Sequence, residues 1–402
     1  MTKLEDLARR TSATLCLGCG KCTGVCPLSE LRESYSPRRL VARALNDREP
    51  EATELVRQCL TCGACEELCP EGVAFVDFVR GAREATAVEE RASCPHHEIL
   101  QQATRLMAQG KSREDRLSWL TPDLKVAKKG KVLLFVGCAP LFDTVFSGLG
   151  VETVEIARSA IRLLNRIGIE PVVRSDEVCC GHDLFWSGDR EGFLRLAERN
   201  AAMIRESGAE TVVTACAECA RTLTKDYPGA APGFAAEVKH ITSFLMDRIE
   251  ELGLYELSDD SFSGQTVTFQ DPCRLGRHLG MTEPPRTMLG AVPGLRIVEM
   301  ERSGRAARCC GTSGFQHCDA ESREMQTRRL EEAAATGAET LVTACPKCLI
   351  HFTCALREDA SRPRFEGGAA PRRAIRITDI TTLVSSALAG RTRPVATQGE
   401  GR

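Results

Sequence analysis

The chain is short of aromatic residues, of net charge and of long apolar runs, and each shortage closes off a class of explanation. Aromatics make up 5% of its 402 residues, with two tryptophans and three tyrosines, so any core must be packed from Leu, Val, Ile and Ala, the usual filling of α/β layers. Lysine and arginine (53) nearly balance aspartate and glutamate (55), for a formal charge of −2. Without a basic excess or tract, the composition points away from nucleic acid. The longest near-apolar stretch, Val132 to Phe142, falls far below the roughly 20 residues that cross a bilayer. No membrane span of its own is therefore expected, and any peripheral place on the inner face of a membrane would depend on a partner subunit. The first ten residues carry Glu5 and Asp6 and lead to Cys16 without an apolar h-region, which argues against a secretory signal and for a reducing, cytoplasmic setting. No Gly-x-Gly-x-x-Gly follows an expected strand, so a flavin would have to sit on another protein.

Cysteine is what the chain has instead, 21 in all. Two runs share one spacing: Cys16-x2-Cys19-x2-Cys22-x3-Cys26-Pro27 and Cys59-x2-Cys62-x2-Cys65-x3-Cys69-Pro70. Four thiolates at these intervals curl the backbone around a cubane [4Fe-4S] core and aim amides at its sulfides. Proline disfavours helix at the cysteine before it, so Cys26 and Cys69 can reach toward the other run. The expected sets are Cys16, Cys19 and Cys22 with Cys69, and Cys59, Cys62 and Cys65 with Cys26. Structural zinc also accepts paired Cys-x2-Cys, but two complete four-cysteine runs exceed what one zinc site needs. Between them, Ser36 as N-cap, Pro37 at the first position and Leu40, Val41, Ala44 and Leu45 on one face predict a helix reaching Arg57.

The remainder alternates strand-like and helical segments, and it does so twice. Val132–Val136, Glu170–Arg174 and Thr211–Thr214 read as strands, with helices over Thr153–Ile167 and Arg190–Ser207. Thr266–Phe269, Leu295–Met300 and Thr340–Thr343 then read as strands, with helices over Ser322–Thr336 and Asp379–Leu388. Cysteines recur in the same order: Cys138, Cys179-Cys180-Gly181 and Cys216-x2-Cys219, then Cys273, Cys309-Cys310-Gly311 and Cys345-x2-Cys348. Two homologous lobes are implied, each with five thiols on loops at strand ends, one more than a cubane takes. Neighbouring side chains in extended chain face opposite ways, so each Cys-Cys pair needs a bend that Gly181 and Gly311 permit. The fold class expected is mixed α/β: a helical two-cluster ferredoxin-like domain (1–90), a polar connector (91–130), two tandem lobes with parallel strands (131–257 and 258–390) and a flexible tail (391–402).

The segment Cys179-Cys180-Gly181-His182-Asp183-Leu184-Phe185-Trp186-Ser187-Gly188-Asp189, with Thr214-Ala215-Cys216-Ala217-Glu218-Cys219, resembles the CCG domains of heterodisulfide reductase. Asp271-Pro272-Cys273-Arg274-Leu275-Gly276-Arg277-His278-Leu279-Gly280 and Cys309-Cys310-Gly311 extend the likeness. The whole is closest in look to the D-type subunit, which fuses the two-cubane module to the CCG module, and the likeness runs from about Thr14 to His351. The resemblance implies a noncubane [4Fe-4S] cluster on the five cysteines of each lobe, with a small-molecule disulfide between the lobes. Each cluster would deliver one of the two electrons that break the S–S bond. It also implies partners that give or take electrons: a flavoprotein, a hydrogenase-type module or a membrane cytochrome b. Iron–sulfur relay subunits of flavin-dependent glycolate, lactate and glycerol-3-phosphate dehydrogenases feeding a quinone pool look similar, but commonly lack a cysteine in one lobe. All ten are present here.

One departure is Thr312-Ser313-Gly314-Phe315, where the reductase would carry a more glycine-rich loop and where Phe315 would narrow the pocket. Three cysteines, Cys94, Cys318 and Cys354, stay unassigned and are expected to be buried thiols. His182 and His278 are candidates either for donating protons or for hydrogen bonding to sulfur. Arg274, Arg277, Arg308 and Lys347 could bind an anionic substrate tail, raise a cluster's potential, or simply be solvated.

Overall fold

Aliphatic strands and glycine-punctuated loops sort the chain into a small helical module and two parallel sheets in the computed structural model. It describes residues 3–45, 55–85, 95–111, 115–257, 262, 264–315, 318–361 and 375–389. Cys94, the tail 391–402 and the stretch 46–54 of the helix expected to reach Arg57 lie outside these.

The N-terminal module begins with α1 (Lys3–Arg10). Its first cysteine run leads into α2 (Lys21–Val25) after Gly20, then α3 (Pro37–Leu45). The second run leads into α4 (Ala64–Glu67) after Gly63, then α5 (Phe75–Ala85). Ser36 caps α3 as expected, its hydroxyl accepting from Arg39 N (3.5 Å). Helix α1 packs on α3 and α5, and α2 on α4, so the two runs are brought together. Next comes α6 (Ile99–Ala108), within the segment read as a connector. It packs on lobe-one helices, and Trp119 and Leu124 beyond it are buried in the main core.

Lobe one contains β1 (Val132–Phe135), α7 (Ala139–Val145), α8 (Thr153–Arg166), α9 (His182–Ser187), α10 (Arg190–Ser207), β2 (Thr211–Thr214), α11 (Ala217–Lys225), β3 (Glu237–His240) and α12 (Ile241–Met246). Lobe two repeats the order with β4 (Thr266–Gln270), α13 (Cys273–Gly276), α14 (Glu283–Gly290), β5 (Arg296–Ile297), α15 (Ala320–Ala335), β6 (Thr340–Thr343), α16 (Pro346–Ser361), β7 (Arg376–Asp379) and α17 (Ile380–Leu388). The sheets run β1-β2-β3 and β5-β4-β6-β7, every pair parallel. Their central strands are buried on both faces, as parallel sheets require.

Three expected elements come out differently. Glu170–Arg174 contributes only isolated bridges at Val172, to Ala127 and to Leu133; in the second, Val172 N donates to Val132 O and Val172 O accepts from Leu134 N (2.8 and 2.9 Å). Pro171, with no N–H, cannot extend the ladder. Leu295–Met300 narrows to β5, an edge strand. Strands β3 and β7 were not expected at all, because Glu237-Val-Lys-His and Arg376-Ile-Thr-Asp carry the charges of exposed edges rather than an aliphatic run.

The lobes are not independent. Helix α12, which ends lobe one, packs on α14 of lobe two, and α17, which ends lobe two, packs back on α8 of lobe one. Ile156, Ala160, Ile161 and Leu164 from α8 and Ile380, Val384 and Ala387 from α17 belong to one continuous core. Truncating Ile380 to Ala is therefore expected to cost about 2–5 kcal/mol and to lower amide protection in α8 together with α17. Hydrogen exchange showing α8 unaffected would contradict this exchange of helices.

Candidate functional site

The equivalent strands end in register, Phe135 beside Thr214 beside His240 and Gln270 beside Thr343 beside Asp379. The cysteines follow at once. Cys138 caps α7 and Cys216 caps α11, while Cys273 opens α13 and Cys345 directly precedes α16. Helix N-termini favour negative charge and so stabilise thiolates there. In lobe one Cys138 hydrogen-bonds Cys179, Cys179 bonds Cys180, Cys180 lies 3.5 Å from Cys219, and Cys219 bonds Cys216. In lobe two Cys273 meets Cys309, Cys309 meets Cys310, Cys310 lies 3.4 Å from Cys348, and Cys348 meets Cys345. Each lobe thus gathers its five thiols into one buried group. The Cys-Cys bend works as the sequence requires: Gly181 and Gly311 sit at φ 84° and 89°, and a Cβ there would strike Phe193 at 2.8 Å or Ser322 O at 2.7 Å.

In the N-terminal module Cys26 joins Cys59, Cys62 and Cys65 around a pocket of about 340 Å³. The other run is nearer the surface: Cys16, Cys22 and Cys69 are half-buried and Cys19 is exposed. A backbone N–H is aimed at sulfur from Thr61 to Cys59 (3.3 Å), and in lobe one from Gly181 to Cys179 (3.4 Å). A second pocket of about 340 Å³ is lined by the five lobe-one thiols together with Phe142, His182, Asp183, Glu218 and Lys347.

The thiol groups also touch one another. Cys62 of the N-terminal module accepts a hydrogen bond from Cys309 of lobe two, and Cys216 and Cys345 bond across the seam between the lobes. Burial pushes Cys26 up to about 12, with Cys62 adding to it. The bond from Cys309, helped by Arg277 and Arg274, outweighs burial and holds Cys62 down at about 5. Cys65 is raised by burial and by the charge of Cys59 and Cys62. So many soft donors crowded out of water, several of them resisting ionisation, form a donor set that a cationic iron core would neutralise. The residues fit iron–sulfur clusters.

Arginines hold the three parts together. Arg274 Nε–H donates to His182 Nε2 (2.9 Å), its NH2 to Thr61 Oγ1 (2.8 Å) and its NH1 to Thr61 O and to His278 Nε2 (2.9 Å), with the guanidinium over the Trp186 ring. Arg277 donates to Cys62 O (2.7 Å) and to Ala307 O (2.6 Å). Arg83 of α5 donates to Val56 O (2.9 Å), to Trp186 O (2.7 Å) and to Cys59 O. At the rim Arg308 pairs with Glu30 (2.6 Å) and Arg305 with both oxygens of Glu67 (2.6 and 2.8 Å). Arg274 and Arg277 are buried and committed to protein partners, which disposes of the solvated reading for these two, while Arg308 stays partly exposed in its rim pair with Glu30.

Lys347, 3% exposed, reaches Asp183 and Glu218 (2.5 Å) across the seam. Burial works to strip its proton, but the two carboxylates outweigh this and hold its pKa well above the usual value. Burial pushes Glu218 up to about 8 against the pull of Lys347; Asp183 stays below the ordinary carboxylate range, because Lys347 and His182 overcome its burial. His182, Asp183 and Glu218 offer ligand atoms within 4.8 Å of one another, yet the ammonium already lies against both carboxylates. His182 accepts from Arg274 at Nε2, so its Nδ1–H faces Asp183 (2.8 Å). Both its nitrogens bond to side chains rather than to sulfur.

Cys318 and Cys354 are half-buried rather than buried. Sequence reading missed the clamp on the Cys138 loop: Glu177 accepts from Val136 N (3.1 Å) and Gly137 N (2.7 Å) and pairs with Arg116 (3.1 Å). An acidic residue two places before Cys179, next to Asp176, carries no signal of that role. It also missed Arg83, whose position in a helix reads as solvated.

Residues 132–224 and 267–353 each match the cysteine-rich CCG domain family, and residues 15–74 match a 4Fe-4S dicluster domain. With the site, these matches define an iron–sulfur oxidoreductase. The chain is 31% identical to the D-type subunit of the dihydromethanophenazine:CoB–CoM heterodisulfide reductase of Methanosarcina acetivorans, over 93% of both chains. It is 27% identical to the B-type subunit of the fumarate reductase (CoM/CoB) of Methanothermobacter marburgensis, covering 89% of this chain and 71% of that one. To the iron–sulfur-binding oxidoreductase FadF of Bacillus subtilis it is 26% identical, over 86% of this chain and 57% of that one. The chain belongs to the family of D-type heterodisulfide reductase subunits. No helix among the described residues is long and apolar enough to cross a membrane.

Replacing Arg274 with Met would leave His182 Nε2 and Thr61 Oγ1 without the donor they now share. A loss of about 1–3 kcal/mol is expected, read as a lower unfolding midpoint of anaerobic protein; an unchanged midpoint would show that the junction does not depend on this side chain.

Proposed function

We propose that the chain is the catalytic subunit of a heterodisulfide reductase-like complex, cleaving a small-molecule disulfide by the balanced step R–S–S–R′ + 2e⁻ + 2H⁺ → RSH + R′SH. Cys16, Cys19, Cys22 and Cys69 would hold one cubane [4Fe-4S] cluster and Cys59, Cys62, Cys65 and Cys26 a second. Cys138, Cys179, Cys180, Cys216 and Cys219 would hold one noncubane [4Fe-4S] cluster, and Cys273, Cys309, Cys310, Cys345 and Cys348 the other. Bound there, the clusters would supply one-electron transfer.

The observation that carries the reading is the meeting of Cys216 with Cys345, which sets two complete five-thiol groups face to face across the seam. Opposed in this way, each group could deliver one electron to one sulfur of a disulfide lying between them. The contact of Cys62 with Cys309 orders the sets: the inner N-terminal run abuts lobe two, which in turn abuts lobe one. The outer run, with Cys19 exposed and Leu15, Leu17 and Leu68 exposed beside the cysteines, is where an electron-carrying partner subunit would dock. Cytoplasmic placement, peripheral to a membrane only through such a partner, is consistent with the thiol chemistry.

Anaerobic purification followed by iron and sulfide analysis is expected to give about sixteen irons per chain, and adding candidate disulfides to the protein should produce a new EPR signal that Cys216→Ser and Cys345→Ser both weaken. Zinc in place of iron, or spectra indifferent to every disulfide, would overturn the proposal, the second in favour of a relay.

A further inference from the structure

We infer that Arg274 and Arg277 make the lobe-two cluster site easier to reduce than the lobe-one site, so that the first electron is held in lobe two until a second arrives; the inference rests on the cluster positions of the reading above. The duplicated motifs differ in charge at matched places. After Cys138 lobe one has Ala139 and, three places on, Phe142, where after Cys273 lobe two has Arg274 and Arg277. The CCG motif runs on into His182-Asp183 in lobe one and into Thr312-Ser313 in lobe two. Within the last cysteine pair stands Glu218 in one lobe (Cys216-Ala217-Glu218-Cys219) and Lys347 in the other (Cys345-Pro346-Lys347-Cys348). At these positions lobe one carries two carboxylates and lobe two three cations.

The fold sharpens the difference rather than cancelling it. Lys347 crosses the seam and lies against Asp183 and Glu218 (2.5 Å), so lobe one gains no net positive charge from it. Arg274 and Arg277 stay with lobe two and are 2% and 7% exposed. Arg274 donates to Thr61, His182 and His278, and Arg277 to the carbonyls of Cys62, Arg305 and Ala307 (2.7, 3.1 and 2.6 Å). All of these acceptors are uncharged, and among the described residues neither guanidinium pairs with a carboxylate. Glu67, whose field reaches Arg277, is itself held through both oxygens by Arg305 (2.6 and 2.8 Å). Buried cations of this kind are completed by an anionic neighbour. The thiolates are at hand: Arg274 adjoins Cys273, and Arg277 grips the carbonyl of Cys62, whose sulfur bonds Cys309. Positive charge beside a cluster favours its reduced, more negative form. Because the inner N-terminal run abuts lobe two, electrons reach the better-holding site first. One electron alone would split R–S–S–R′ into a thiolate and a thiyl radical. Holding the first until the second follows favours the two-electron, two-proton cleavage to RSH and R′SH.

The test reads potentials and needs no disulfide. Full-length protein loaded with iron is titrated anaerobically with dithionite and followed by EPR, the signals being assigned by Cys180→Ser in lobe one and Cys310→Ser in lobe two. In wild type lobe two is expected to reduce first, its reduction constant at least about ten-fold above that of lobe one, or about 59 mV for one electron. Arg277→Met should lower the lobe-two constant about ten-fold or more and the lobe-one constant about three-fold or less. Arg277→Lys, which keeps the charge without the fork, should stay within about three-fold of wild type. Arg277→Gln takes the place of the methionine protein should that one lose iron. Lobe one reducing first, or both together, would overturn the inference. So would a lysine protein shifted as far as the neutral one, since the shift would then report lost hydrogen bonds rather than lost charge. Neither outcome touches the disulfide reading, which fails instead if added disulfides leave the spectra unchanged.

Discussion

Arg274 places a buried guanidinium at a point where the N-terminal module and both lobes meet. It follows Cys273 directly, grips Thr61 between Cys59 and Cys62, and bonds His182 just beyond Cys179-Cys180-Gly181. Only a planar fork with five donors can serve three directions at once, which a lysine could not. Because Thr61 and His182 each lie within two residues of a cysteine and Arg274 adjoins Cys273, the fork fixes where three of the four thiol groups stand relative to one another. Burying it is tolerable because each edge of the fork meets an acceptor and its face covers Trp186. Thr61 is itself held at φ 48°, costly for a β-branched residue, and the same bonds hold it there.

The duplicated sheets supply the rest. A parallel strand followed by a helix N-terminus delivers a thiol at its carboxyl end, and doing so at β1, β2, β4 and β6 gives four such thiols at equivalent places. Exchange of α12 and α17 between lobes then locks the two carboxyl edges against each other, so the contact of Cys216 with Cys345 follows from topology as much as from local sequence. A relative motion of the lobes would separate these thiols. The shared core opposes such motion in a way that a polar interdomain surface would not.

Much of this was legible from residues alone. The cysteine runs, their crossing through Cys26, the doubled cysteine order and the aliphatic strands β1, β2, β4 and β6 all rest on spacing or local hydrophobicity, and spacing is what a linear sequence records. Strands β3 and β7 were not legible, since charged edges look like loops until a neighbour pairs with them. The polar segment from Ile99 to Arg116 looked like a spacer, yet Gln101 and Arg116 act on loops more than sixty residues away. His182 and Lys347 stand near cysteines in the sequence, but their partners were not legible, because the seam that pairs Lys347 with Asp183 and Glu218 joins residues that no motif links. Long-range charge pairing is set by tertiary packing, and packing leaves no local signature.

The central claim is spatial: thiol groups arranged in series from the N-terminal module through lobe two to lobe one. A crystal structure of anaerobically prepared protein, with anomalous scattering recorded at the iron edge, tests it most directly. Iron density at Cys26, Cys59, Cys62 and Cys65, then at the lobe-two cysteines, then at the lobe-one cysteines, in that spatial order, is the predicted result. Zinc at these positions, or iron in lobe one lying nearer the N-terminal module than iron in lobe two, would contradict it.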